Sequence, residues 1–234
     1  MSYSNTIFLS EVTEGEVLDI LKDLSNKNSS GCDEIPCSLV RTVRRFIAAP
    51  LCRIINNSFQ SGVFPAMLKI AKVVPIFKTG DPLNMKNYRP IPLLSVFSKV
   101  FEIAMHRRIV AFCEKYNVIS NMQHGFRAKR STETAIFEFT NAISGSLDTG
   151  NLTEGLFLGL SKAFDCIDHS ILLSKISLCG PRGKCWDWIS SYLSNRFQFV
   201  TNKYKTSQSI ASSKSDPLPV TSGVPQGSVL GPLF

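Results

Sequence analysis

Paired cysteines are missing from this sequence. The seven cysteines (32, 37, 52, 113, 166, 179, 185) are odd in number and scattered, and none belongs to a Cys-x-x-Cys pair. His106, His124 and His169 are not spaced to complete a zinc site, so a disulfide framework and a structural zinc module are both excluded. Long apolar runs are missing as well: each is cut by Lys, Pro or Ser well before the ~20 residues that a bilayer requires. The opening Met1-Ser2-Tyr3-Ser4-Asn5 has no basic stretch ahead of an apolar core, which argues against secretion. These absences predict an intracellular chain, nuclear or cytoplasmic, with reduced thiols and no membrane partner. No internal repeat or low-complexity tract is present, and no pattern specifies an oligomer.

Acidic residues are few, 18 against 26 Lys and Arg, for a net charge of +8 over 234 residues. The excess is local. Residues 65–130 hold twelve Lys/Arg against Asp81, Glu102 and Glu114, a net of +9, while the rest is close to neutral. A concentrated basic region favours a polyanionic partner, although lysines of this kind also serve simply to solvate helix faces. With 44% apolar residues the chain is long and hydrophobic enough to bury a core.

Periodicity predicts intermixed helices and short strands, an α+β or mixed-sheet fold. Thr13 and Glu16 fit a capping box ahead of Val17, Ile20, Leu21 and Leu24. A polar loop covers 26–31, with a short helix after Pro36. Pro50 reads as the start of a helix that Gly62 ends. Ala71–Phe77 reads as a strand that Pro75 places at an edge, followed by a turn at 78–82. Helical spacing returns from Ser95 to about Tyr116. Gly155–Leu160 reads as a buried strand entering a helix at Ser161. Trp186–Phe197 reads as a helix, Gln198–Tyr204 as a strand, and 207–216 as a polar hairpin or loop.

Four segments carry chemistry. In Asn87-Tyr88-Arg89-Pro90-Ile91-Pro92, two prolines enforce an extended arm that delivers Arg89, or that is merely structural. In Gln123-His124-Gly125-Phe126-Arg127-Ala128-Lys129-Arg130-Ser131-Thr132, three cations surround a glycine and an aromatic ahead of a capped helix. Such a turn can clamp phosphate, and it is equally a surface loop. In Leu158–His169, Asp165 and Asp168 stand three apart, as a metal pair or as a cap and salt-bridge pair. Finally, Gly223-Val224-Pro225-Gln226-Gly227-Ser228-Val229-Leu230-Gly231-Pro232-Leu233-Phe234 mixes three glycines and two prolines with large apolar residues. This reads as a tight loop that approaches a flat ligand closely and runs into a buried helix start.

In this order and at these separations the segments resemble the reverse transcriptase of non-LTR retrotransposons, the LINE type, and specifically jockey- and CR1-like elements. The resemblance begins at Leu24, Gly31, Asp33, Ile35 and Pro36, passes through Gly62-Val63-Phe64-Pro65 and Lys69, and runs to Phe234. It implies the fingers and an incomplete palm of a right-hand polymerase, without the thumb. Residues 1–64 would be a helical lead-in, 65–150 the basic fingers, and 151–234 a partial palm. The partners it implies are an RNA template, a DNA primer and deoxynucleotide triphosphates, with Mg2+ as cofactor.

Residue by residue, the resemblance makes Arg127 the holder of the triphosphate, with Lys129 or Arg130 as lesser candidates. It makes Phe164 the residue beneath the sugar that rejects a 2′-hydroxyl, and Gln226 the residue beside the incoming nucleotide. Arg89 would contact template or nucleotide. Gly159, however, stands where the resemblance expects an aspartate that binds both magnesium ions, and the hairpin with two further aspartates is expected downstream of Phe234. Two-metal chemistry needs carboxylates to hold ions ~4 Å apart, and six residues after Gly159 Asp165 is poorly placed to substitute. The expectation is therefore a reverse transcriptase domain that is truncated, catalytically inactive and without metal ligands. The alternatives are a non-catalytic nucleic-acid-binding module or a relic that folds poorly.

Overall fold

A computed structural model describes residues 4–205, 209–225 and 227–234. Among these residues, seven α-helices and one sheet make a mixed α+β fold.

The N-terminal third is helical. Helix α1 (Glu14–Asp23) is capped by the Thr13 hydroxyl, which accepts from Glu16 N at 3.1 Å. The Glu16 carboxylate does not close the reciprocal half of the capping box. Both its oxygens accept instead from Arg108, at 3.0 and 3.1 Å, because a charged fork offers a stronger bond than a backbone amide. Helix α2 (Cys37–Thr42) follows Pro36, and α3 (Arg44–Ser61) follows almost at once. Pro50 lies inside α3 and does not open it. The ring frees one carbonyl, that of Phe46, whose residue is exposed, so solvent can take over the lost bond. Gly62 ends α3 in the left-handed conformation, φ 71°.

After a 3-10 turn at Ala66–Lys69 comes β1 (Ile70–Phe77). It pairs antiparallel with β2 (Tyr88–Leu93) and parallel with β3 (Arg196–Lys205), which also carries β4 (Ile210–Lys214) and β5 (Leu218–Val220), both antiparallel. Strand β1 is therefore internal, contrary to the edge that Pro75 suggested. The β1–β3 register runs only from Ile70↔Phe197 to Val73↔Val200, so Pro75 stands past the last β3 partner, opposite Pro90 of β2. The missing amide interrupts no ladder there. Of the polar hairpin or loop expected at 207–216, Ile210–Lys214 forms β4, antiparallel to β3, and residues 206–208 lie outside the described residues.

Helix α4 (Val96–Lys115) begins at its Ser95 cap and is buried on most sides. Helix α5 (Thr132–Asp148) carries a full capping box between Ser131 and Thr134 and has no buried residue. The strand expected at 155–160 does not form: 151–160 has no regular structure, and Leu156, Phe157, Leu158 and Leu160 are exposed. A strand exists only against a neighbour that accepts its amides, and no strand among the described residues lies beside this one. Nor does a helix begin at Ser161. Lys162 has φ +53°, incompatible with a helical start, and 161–166 is a turn. The helix begins later, as α6 (His169–Leu178). Helix α7 (Lys184–Leu193) ends before the predicted Phe197, because Asn195 at φ +52° turns the chain into β3.

The core gathers where α1, α3, α4 and α7 meet. At its centre Phe64 sits edge-on to Trp188 (5.2 Å), Tyr192 (5.1 Å) and Phe101 (5.9 Å), an arrangement that ring quadrupoles favour. The Trp188 indole donates to Ser58 Oγ at 2.9 Å.

Candidate nucleic-acid interface

The 223–231 loop is built from both ends. Gly223 (φ +78°) donates its amide to Ile167 O at 2.8 Å, and Val224 N donates to Phe164 O at 2.8 Å. The Ser222 hydroxyl donates to Asp165 O, and His169 Nε2 bonds Gly223 O at 2.7 Å. Four bonds thus stitch the loop's entry to the 164–169 turn. At the other end Ser228 and Leu230 are buried, Gly231 N donates to Ser228 Oγ, and the chain closes in a 3-10 turn at Gly231–Leu233. This is the tight loop and buried continuation that the glycine and proline pattern predicted.

Beside the loop lies a cavity of about 430 Å³, open on one side. Pro90 and Pro92 of β2, Arg196 and Gln198 of β3, Asp165, and the Gly223–Pro225 backbone line it. Three of the four motif segments therefore converge on one depression. The remaining one does not line the cavity; its contact with the others is the Phe126 ring standing edge-on to Phe164, 6.3 Å between centroids.

The individual candidates fare differently. Phe164 is 38% exposed, with its backbone fixed against the loop. Arg89 is exposed on β2, next to Pro90 in the cavity wall. Arg127 turns away. Its Nε and Nη2 grip both Glu114 oxygens at 3.1 Å each, and Nη1 donates to Ser120 O at 2.9 Å. The pair holds the Glu114 carboxyl below its ordinary pKa and raises that of Arg127, the shared hydrogen bond being the main cause for both. Arg130 donates to Glu138 at 2.7 Å, and His124 Nε2 lies 3.1 Å from the other Glu138 oxygen. Arg130 first and His124 second keep that carboxyl low. Lys129 is exposed at φ +61° and forms no ion pair among the described residues. Gln226 lies outside the described residues.

Asp168 is a helix cap, accepting from Ser170 N at 2.8 Å and Ile171 N at 3.0 Å. Of the two readings of the Asp165/Asp168 pair, the structure takes the capping one for Asp168. Gly159 sits on the exposed segment with no heavy atom within 4 Å of where a Cβ would stand. Among the described residues, no group of three or more His, Cys, Asp or Glu could hold a metal ion. The residues present therefore do not fit a two-magnesium centre. Since space is open at residue 159, Gly159→Asp is expected to change stability by less than ~0.5 kcal/mol, as urea unfolding would show. A loss beyond about 1 kcal/mol would mean that the segment is packed against something.

Sequence reasoning missed Glu102, His169 and Arg196, all of which shape this site. For Glu102 a signal existed: a lone acid inside the apolar run Phe101–Met105, four residues after Ser98.

The mixed α+β fold is consistent with a reverse transcriptase domain. The chain belongs to the reverse transcriptase (RNA-dependent DNA polymerase) family, whose match covers residues 76–234. It aligns with the reverse transcriptase domain of non-LTR retrotransposon proteins. It is 30% identical over 220 residues to "Probable RNA-directed DNA polymerase from transposon BS" of Drosophila melanogaster, covering 94% of this chain and 23% of that protein. It is also 30% identical to the RNA-directed DNA polymerases from mobile element jockey of Drosophila melanogaster and Drosophila funebris, with 96% and 94% of this chain and 24% and 23% of those proteins covered. The chain thus spans about a quarter of the length of the curated relatives it matches. The family uses divalent metal ions. Among the described residues, no helix is long and apolar enough to cross a membrane.

Proposed function

We propose that this chain binds an RNA–DNA primer–template and an incoming deoxynucleotide at the cavity beside the 223–231 loop, as the fingers and front of the palm of a reverse transcriptase. The observation that carries the reading is the convergence of the Pro90–Pro92 arm, Asp165 of the turn that follows Phe164, and the Gly223–Pro225 loop on one depression of about 430 Å³. In this reading 1–64 is the lead-in, 65–150 the fingers and 151–234 the palm portion. Phe164 and Gln226 flank the nucleotide, while Arg89, Lys129 and Arg130 meet phosphates. Arg127 reaches a triphosphate only by exchanging Glu114 for it, a swap between two anions that costs little at a site where Glu114 is itself exposed. Lys129 and Arg89, exposed and without an ion pair among the described residues, need no such exchange. The chain alone does not catalyse nucleotidyl transfer, because Gly159 provides no carboxylate where the family places one.

Affinity for an RNA–DNA hybrid, read by fluorescence anisotropy, is expected to fall roughly 40- to 500-fold between 50 and 200 mM salt if three to five phosphates are contacted. Salt-independent or undetectable binding removes the reading. Primer extension with magnesium or manganese is expected to yield no product, and extension by the purified chain would overturn the inactive assignment while keeping the site.

The basic segment favours a second reading, a binding module without nucleotide selection. Its mark would be hybrid affinity that deoxynucleotide leaves unchanged.

A further inference from the structure

Glu102, on α4, is fully buried, in a core otherwise composed almost wholly of apolar side chains. A carboxylate in such a place is costly unless it is bonded, and the bonds it makes are specific. Ser98 Oγ donates to Oε1 at 2.8 Å, and the backbone amide of Val229 donates to Oε2 at 2.7 Å. Arg196 from β3 contributes attraction, and Tyr192 from α7 faces the same carboxyl. Arg196 in turn lies over the Tyr192 ring, 4.8 Å from guanidinium carbon to centroid, and donates to Tyr192 O. The buried Tyr192 hydroxyl faces both Glu102 and Ser228 of the loop, and Arg196 Nη2 is buried with no hydrogen-bond partner among the described residues. Among the described residues, the backbone groups from outside α4 and α7 that bond the Glu102 carboxyl are thus amides of the glycine-rich loop, Val229 at 2.7 Å and Leu230 beside it, three and four residues past Gln226.

We propose that Glu102 is a positioning residue: it anchors the exit of the 223–231 loop, and thereby fixes where the loop tip stands against the cavity that holds nucleotide and hybrid. The inference rests on the reading of that cavity given above. The entry is anchored by Ile167, Phe164 and His169, so releasing the exit alone turns a two-point clamp into a hinge. An apolar replacement fits the surroundings but leaves the Val229 N–H buried without an acceptor, which favours a displaced loop.

Two variants separate anchoring from mere packing. Glu102→Leu fills the space and offers no acceptor, whereas Glu102→Gln keeps shape and one carbonyl oxygen for Val229. Hydrogen exchange of the Val229 amide is expected to be at least ~10-fold faster in Glu102→Leu, with amides of α1 and α3 unchanged, and close to native in Glu102→Gln. Hybrid affinity is expected to fall roughly tenfold in Glu102→Leu and to recover in Glu102→Gln. Native exchange and affinity in Glu102→Leu would overturn the proposal, as would equal loss in both variants. Should Glu102→Leu not fold, the wild-type amide decides: an unprotected Val229 overturns the anchor. Failure of the wild-type chain to bind hybrid would overturn the reading of the cavity, and amide exchange would then judge the anchor by itself.

Discussion

Replacing Gly223 with alanine is expected to destabilise the protein by about 2–4 kcal/mol and to detach the loop from the 164–169 turn. Residue 223 sits at φ +78°, where an L side chain is strained. A Cβ would in addition stand 2.7 Å from Phe164 O and 2.8 Å from Asp165 O. These are backbone atoms, and both are engaged: Phe164 O accepts from Val224 N, and Asp165 O from the Ser222 hydroxyl. Relieving the clash therefore breaks the stitching that gives the loop its pose. Gly227 supplies the control. Its φ is +82°, but nothing lies within 4 Å of the added carbon, so Gly227→Ala should cost only the conformational part, about 1–2 kcal/mol. Urea unfolding of the two variants compares clash plus strain with strain alone. Equal stabilities would mean that the close approach at Gly223 does not hold in solution, and the cavity wall would have to be redrawn.

Trp188→Ala is expected to cost about 3–5 kcal/mol, a large part of the 5–15 kcal/mol that a domain typically has. The indole is wholly buried, edge-on to Phe59 and Phe64 and stacked with Tyr192. Truncation empties the centre of the aromatic cluster and removes the bond to Ser58. Because Tyr192 continues to Arg196 and the Glu102 cluster, the loss should spread to the loop. Trp188→Phe keeps a ring and loses mainly the indole bond, about 1–2 kcal/mol. The measurement is denaturant unfolding followed by circular dichroism, which does not depend on the tryptophan removed. A cost below about 1.5 kcal/mol for Trp188→Ala would show that the cluster collapses readily and is not the packing centre.

Helices were legible where periodicity and caps coincide. Thr13, Ser95 and Ser131 all cap helices, and Gly62 ends one. Elements that depend on a neighbour were not. Gly155–Leu160 has the composition of a buried strand, yet β propensity expresses fit to an adjacent pleated surface, and this segment stays exposed among the described residues. Proline misled twice for one reason. Its rule concerns a missing amide, and at Pro50 and Pro75 the bond that the amide would have made is dispensable because of what lies alongside.

The sequence by itself determined the family, the basic character of residues 65–130, and the tight turn geometry of the terminal loop. These rest on residue identity and order: charge is a sum over side chains, and glycine takes the left-handed turns at 223 and 227 without the strain an L side chain meets there. Only the tertiary structure decided which charges are committed and which residues hold the loop. Arg108 is bound to Glu16 and the Ser10 and Glu11 carbonyls, Arg127 to Glu114, and Arg130 to Glu138, while Lys69 is buried beside Ser191. Glu102 and Val229 lie 127 positions apart in the chain. No local pattern announces a bond between them, because it exists only once α4 and the loop are packed against each other in water's absence.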